Sequence, residues 1–94
     1  MSERIGIQIL EADFAAFKNL MPHEVRLGRN YAEWNERRRS EELMATGGVH
    51  RVVVRPDEFA AYCTEMRRKP TYFLLESFAV RRSVAEGYPG ANSP

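Results

Sequence analysis

Cys63, His23 and His50 are the residues of this chain whose side chains could bind a metal or act as a nucleophile and its base. Their spacing supports neither role. His23 falls in a polar stretch just after Pro22, and His50 opens a run of β-branched residues. A zinc site needs short, repeated ligand spacing, and no second cysteine is present to provide it. Cys63 lies at helical spacing from Phe59 and Met66, with no basic side chain within three residues to hold a thiolate. Nothing flanking Cys63 or His50 marks them as a catalytic pair. Gly47-Gly48 precedes a strand rather than a helix, so it is not a phosphate-binding loop. No catalytic residue, metal ligand, cofactor or small-molecule substrate is therefore expected, and the chain is read as a non-enzyme.

The cations are the next chemistry to place. Arg37-Arg38-Arg39 could face an anion, but Glu33, Glu41 and Glu42 sit three or four residues away, at the spacing that pairs with Arg37 and Arg38. That run reads as a solvated helix face. Arg67-Arg68-Lys69 has fewer acids nearby. It reads either as an anion-binding patch or as a helix C-terminus satisfied by cations. A third group comes from strand periodicity. With Ile7, Ile9, Val52 and Val54 turned to a core, Gln8, Arg51 and Arg55 must face outward.

The elements that position these groups repeat. Ile7 to Phe17 lies over Val52 to Tyr62 without a gap, at an offset of 45 residues. Phe14-Ala15-Ala16 falls on Phe59-Ala60-Ala61. Each copy alternates like a strand and then shifts to helical spacing. Phe14, Phe17, Leu20 and Met21 make the first helical stripe, and Phe59, Tyr62, Cys63 and Met66 make the second. Pro22 stops the first helix, and residues 22–29 read as a polar loop. Asn30, with Glu33 three residues on, caps a helix that Gly47-Gly48 ends. Trp34 and Tyr31 read as half-exposed aromatics over a small secondary core. Pro56 opens the third helix, and Thr71 caps a fourth that runs to about Ala85.

The fourth helix is apolar on more than one side. Leu74, Leu75, Phe78 and Ala79 form the core-facing stripe, and Phe73, Val80 and Val84 lie off it. Such a helix is buried on both sides, and a small domain has little material to cover the second. Phe73, Val80 and Val84 are the expected homodimer interface.

The expected fold is α+β. It is a single pseudo-symmetric βααβαα domain over residues 1–86, with repeats at about 5–47 and 49–86 and a two-stranded ribbon among four helices. Residues 87–94 read as a flexible tail. Two strands make a marginal sheet, so they pair inside a helical shell or extend a sheet across a dimer.

Composition narrows the function. The net charge is +1, and the two halves, split after residue 47, carry −1 and +2, so the basic excess usual in phosphate binders is missing. No apolar run approaches a membrane span, Met1-Ser2-Glu3-Arg4 lacks signal-peptide features, and the single cysteine fits a reducing compartment. The expected location is cytoplasmic.

From Arg51 to about Ser83 the layout resembles a ribbon-helix-helix DNA-binding domain. Arg51-Val52-Val53-Val54-Arg55-Pro56-Asp57-Glu58-Phe59 is similar to that family's strand-to-helix junction, and Leu74, Leu75, Phe78 and Ala79 to its second-helix core. The resemblance implies an antiparallel ribbon entering the major groove, with Gln8, Arg51 and Arg55 among the base readers and the repeat making a single-chain pseudo-dimer. The leading expectation is a small interaction module that binds protein as a homodimer. The alternative is a ribbon-helix-helix-like DNA-binding regulator.

Overall fold

The computed structural model describes residues 4–45 and 48–87. The terminal segments, and with them the expected tail beyond Gly87, lie outside the described residues, as does Gly47 of the expected helix stop. The fold is α+β, with four α-helices and a two-stranded sheet. Its order is β1 (Arg4–Gln8), α1 (Glu11–Leu20), a one-turn 3-10 helix (Val25–Leu27), α2 (Tyr31–Met44), β2 (Val49–Val53), α3 (Pro56–Met66) and α4 (Tyr72–Ala85). Among the described residues, no helix is long and apolar enough to cross a membrane.

The strands run parallel, not antiparallel as the ribbon resemblance implied. Ile7 pairs with Val52 and Gln8 with Val53, so the sheet register has the same offset as the sequence repeat. Equivalent residues of the two copies lie side by side. The helices give the physical reason. Both α1 and α3 leave the C-terminal end of their strand within a few residues. In an antiparallel pair those ends point apart, and the two helices would leave from opposite ends of the ribbon. In a parallel pair both helices emerge together and pack. The Phe17 and Phe59 rings then meet at 6.0 Å between centroids, Phe78 of α4 lies 6.0 Å from Phe59, and Tyr62 lies 5.3 Å from Phe78. The α1–α2 hairpin supplies the long crossover that parallel strands require.

Local chemistry places each helix. Glu11 and Asp13 sit in the first turn of α1, and Asp57 and Glu58 in that of α3, where the exposed amides favour negative charge. The Asn30 side chain accepts the Glu33 amide at 2.9 Å and that of Thr71 the Leu74 amide at 3.2 Å, so both 14-residue helices are capped. α3 ends at Arg67 in the left-handed region (φ 56°), where the Arg67 and Arg68 amides bond back to Thr64 and Cys63 carbonyls. The expected polar loop at 22–29 contains a structured turn. Glu24 caps it, Leu27 is fully buried, and Gly28 closes it at φ 80°. A Cβ at Gly28 would also lie 3.0 Å from the Glu33 carboxylate, so backbone and space both call for glycine.

The two halves do not match throughout. Phe14 and Phe59 are both buried, as the repeat requires. The stripes end differently, with Met21 buried and Met66 45 % exposed. The second helices also diverge. α4 packs on both strands and on α3, while α2 leans on the 3-10 turn. α2 reaches the core through Trp34, which is only 1 % exposed and is not the half-exposed aromatic expected.

Removing the Phe59 ring opens a cavity where α1, α3 and α4 meet. Phe59→Ala should cost about 3–5 kcal/mol and Phe14→Ala somewhat less, since Phe14 borders the surface. Urea denaturation followed by circular dichroism measures both.

Candidate functional site

Gln8 and Arg51 lie in the strands at alternating positions to the buried Ile7 and Val52, while Arg55 lies beyond β2 as the N-cap residue of α3. Both arginines are already paired. Arg51 makes a two-pronged contact with the Glu42 carboxylate at 2.5 Å per arm, and Arg55 Nε donates to Asp13 Oδ2 at 2.6 Å. The hydrogen bonds they donate to Glu42 and Asp13 raise the two guanidinium pKa values further. This face carries charge that is largely neutralised. Arg67, Arg68 and Lys69 are exposed and make no ion pair among the described residues.

In the Arg37–Arg39 run, only the Glu33–Arg37 pair forms as expected, at 3.1 Å. Arg38 pairs with Glu41 rather than Glu42, because Glu42 is held by Arg51. Phe73, Val80 and Val84 are exposed to 66 %, 41 % and 42 %. Cys63 is buried, and that burial pushes its thiol pKa up, away from the reactive thiolate.

One concave feature was not foreseen. A cleft of about 610 Å³ runs between β1, α2 and α4, with Ile5, Ile7, Arg38, Glu41, Tyr72 and Val80 in its walls. Its floor is the outer edge of β1. In the parallel ladder Arg4 donates to the Gly48 carbonyl and Gln8 accepts from Val54, so Arg4, Gly6 and Gln8 direct their backbone groups to β2. Ile5, Ile7 and Ile9 direct theirs the other way. The Ile9 carbonyl accepts the Tyr31 hydroxyl at 2.8 Å. The outward backbone groups of Ile5 and Ile7 have no partner among the described residues. Gly6 keeps the strands close here, since a Cβ on it would lie 2.5 Å from Val49 Cγ1.

A stack of aromatic rings and guanidinium groups borders the cleft. Arg38 lies over the Trp34 ring at 4.5 Å and donates to the Tyr72 hydroxyl at 2.7 Å. Arg26 covers the Tyr72 ring at 4.5 Å, and Trp34 meets Tyr72 edge-on at 6.3 Å. Burial pushes the Tyr72 phenol up to about 12, with Glu76 and Glu41 adding to the rise and the Arg38 charge opposing it. At neutral pH Tyr72 keeps its proton. Its oxygen accepts from Arg38, and its own hydrogen has no acceptor among the described residues. Glu24 beside it moves the other way. Desolvation opposes the shift, but the Arg26 amide and guanidinium and the Tyr72 amide lower its pKa overall. The site can therefore offer donors, a backbone edge and an apolar wall. The Glu41, Glu42 and Glu76 carboxylates also line it.

Sequence reading missed this cleft because its parts are distant. Arg38 and Tyr72 stand 34 residues apart, and each has a sufficient local explanation as part of a charged run and as a residue following a cap.

The raised Tyr72 pKa has a consequence for stability. The unfolded phenol ionises near 10, so the folded state keeps its full advantage below that pH and loses it as pH rises through about 12. Wild type should lose about 2–3 kcal/mol over that interval that Tyr72→Phe does not lose. At pH 7 the same substitution should cost about 1 kcal/mol, for the lost Arg38 bond. Parallel urea titrations at pH 8 and 11.5 read both effects.

Compared with known proteins, the chain matches no family model, no curated protein and no solved structure.

Proposed function

We propose that the protein is a small protein-binding module that self-associates through the outer face of α4. The carrying observation is the line of Phe73, Val80 and Val84, which are exposed on a helix whose opposite face, with Leu74, Leu75, Phe78 and Ala79, is buried. Phenylalanine at 66 % exposure keeps a large apolar area in water.

The order of residues along the stripe favours a second copy as the occupant. Two α4 helices laid antiparallel across a two-fold axis bring Phe73 of one against Val84 of the other. The same arrangement brings Glu76 against Arg81. Glu76 has no ion pair among the described residues, and Arg81 makes an exposed contact with Glu65 at 3.3 Å and lies over the Tyr62 ring at 5.4 Å. The pattern is thus complementary to itself in shape class and in charge. α4 alone spans about 21 Å, so a stable interface of standard size extends onto neighbouring surface.

In this reading wild type sediments as a dimer, and Val80→Glu and Phe73→Glu each give folded monomers with unchanged circular dichroism. Glu76→Arg should weaken the dimer by about 0.5–1 kcal/mol, and adding Arg81→Glu should restore it. A wild-type chain that stays monomeric at high concentration in analytical ultracentrifugation would refute the proposal.

A further inference from the structure

We infer that the turn between α3 and α4 docks an acidic segment of a partner protein, held by Arg67, Arg68 and Lys69 and anchored on Phe73. This rests on the reading of the chain as a protein-binding module, and it names the chemistry of a partner other than a second copy.

Charge carries the first part of the argument. Elsewhere in the molecule arginines meet carboxylates: Arg37 pairs with Glu33, Arg51 with Glu42, Arg55 with Asp13 and Arg82 with Glu58. Arg67, Arg68 and Lys69 are exposed, and their side chains make no ion pair or hydrogen bond among the described residues. Cations at a helix C-terminus often have a local task, which is to bond the last carbonyls. Here the backbone does that task. The Arg67 and Arg68 amides bond the Thr64 and Cys63 carbonyls at 3.1 and 3.0 Å. The partial charge of roughly half a unit at the end of α3 offsets only a fraction of three full charges. The acids nearest in sequence face other groups. Glu65 holds Arg81 at 3.3 Å, and Glu76 lines the cleft beside β1. Three consecutive positive charges are left without a counter-charge in a chain whose net charge is only +1.

Apolar surface beside these charges carries the second part. Met66, 45 % exposed, ends α3 on one side of the turn, and Phe73, 66 % exposed, follows the first residue of α4 on the other. An exposed ring next to unpaired cations matches a segment that carries both acids and an apolar side chain. Each guanidinium can take a carboxylate through two parallel hydrogen bonds. Other polyanions fit less well. Clusters of about four to eight cations hold proteins to anionic bilayers, and this turn has three. A nucleic acid needs a broad basic face, and Arg51 and Arg55 are neutralised by Glu42 and Asp13. Because Phe73 also belongs to the outer stripe of α4, the acidic segment and a second copy compete for it.

The test uses a capped decapeptide of glutamates around a central leucine–phenylalanine pair, titrated into the full chain by NMR. Binding should shift the amides of residues 66–73, Pro70 excepted, and should weaken as salt is raised. Arg68→Glu combined with Lys69→Glu should weaken binding about ten-fold or more with circular dichroism unchanged, because neither side chain holds another element. Phe73→Ser should weaken it as well, and the same peptide with glutamine for glutamate should not bind. Val84→Ser, about three turns along α4 from Phe73, weakens self-association without touching the turn. If wild type dimerises, this variant should bind the peptide more tightly than wild type does. If wild type is monomeric, the two should bind alike, so a failure of self-association is distinguishable from a failure of this inference. The inference is overturned if the glutamine peptide binds equally well, or if the double charge reversal binds as wild type does. It is also overturned if wild type binds phosphatidylserine vesicles or random duplex DNA through this turn and leaves the acidic peptide free.

Discussion

Parallel pairing of β1 with β2 at an offset of 45 residues is the constraint on which the other contacts depend. It brings the C-terminal ends of both strands together, and α1 and α3 leave from that shared end. Phe17 and Phe59 can then touch, and α4 can return along the sheet to place Phe78 against Phe59. Ile9 and Val54, which follow the strands, are fully buried under these rings. A slip of one residue would turn Ile7 and Val52 to the surface and bring Gln8 and Val53 inside. Two strands are a small sheet, and their stability comes from this helical cover rather than from the ladder itself.

The parallel arrangement also creates the molecule's open surfaces. A two-stranded sheet leaves two edges, and the edge of β1 lies beside α2, which stands away from the strands. The gap is bridged by side chains rather than by close helix packing. Trp34 is inserted into the core, Arg38 lies over it, and the Arg38 bond to Tyr72 ties α2 to the first turn of α4. Arg26 on the other side of Tyr72 draws in the 3-10 turn. The same stack that holds α2 in place also borders the cleft. Tyr72 is structural, and its burial, which raises its pKa to about 12, keeps it protonated throughout the physiological range.

Charge is distributed to match. The strand arginines are absorbed by Glu42 and Asp13. Arg82 is paired with Glu58 across α3 and α4. With these cations neutralised, recognition by long-range attraction to a polyanion has little to work with on the sheet face. Short-range chemistry remains, in an unpaired strand edge, a phenol proton and an apolar helix stripe.

The sequence by itself determined what depends on neighbours along the chain. The α+β class, four helices, two strands, both side-chain caps and the buried pair Phe14 and Phe59 follow from periodicity and capping, which act over three or four residues. The alternation that sets Gln8 and Arg51 apart from the buried Ile7 and Val52 was legible for the same reason. Strand direction was not, because period two is identical for parallel and antiparallel pairing, and only packing of α1 on α3 selects between them. The fate of Trp34 was also hidden. Its own helix is polar around it, and its burial comes from Tyr72, 38 positions away in the chain. The choice of Glu41 over Glu42 by Arg38 was set by Arg51 on another element. The cleft is the extreme case. It consists of an edge, a gap and a long-range hydrogen bond, none of which exists until the chain has folded.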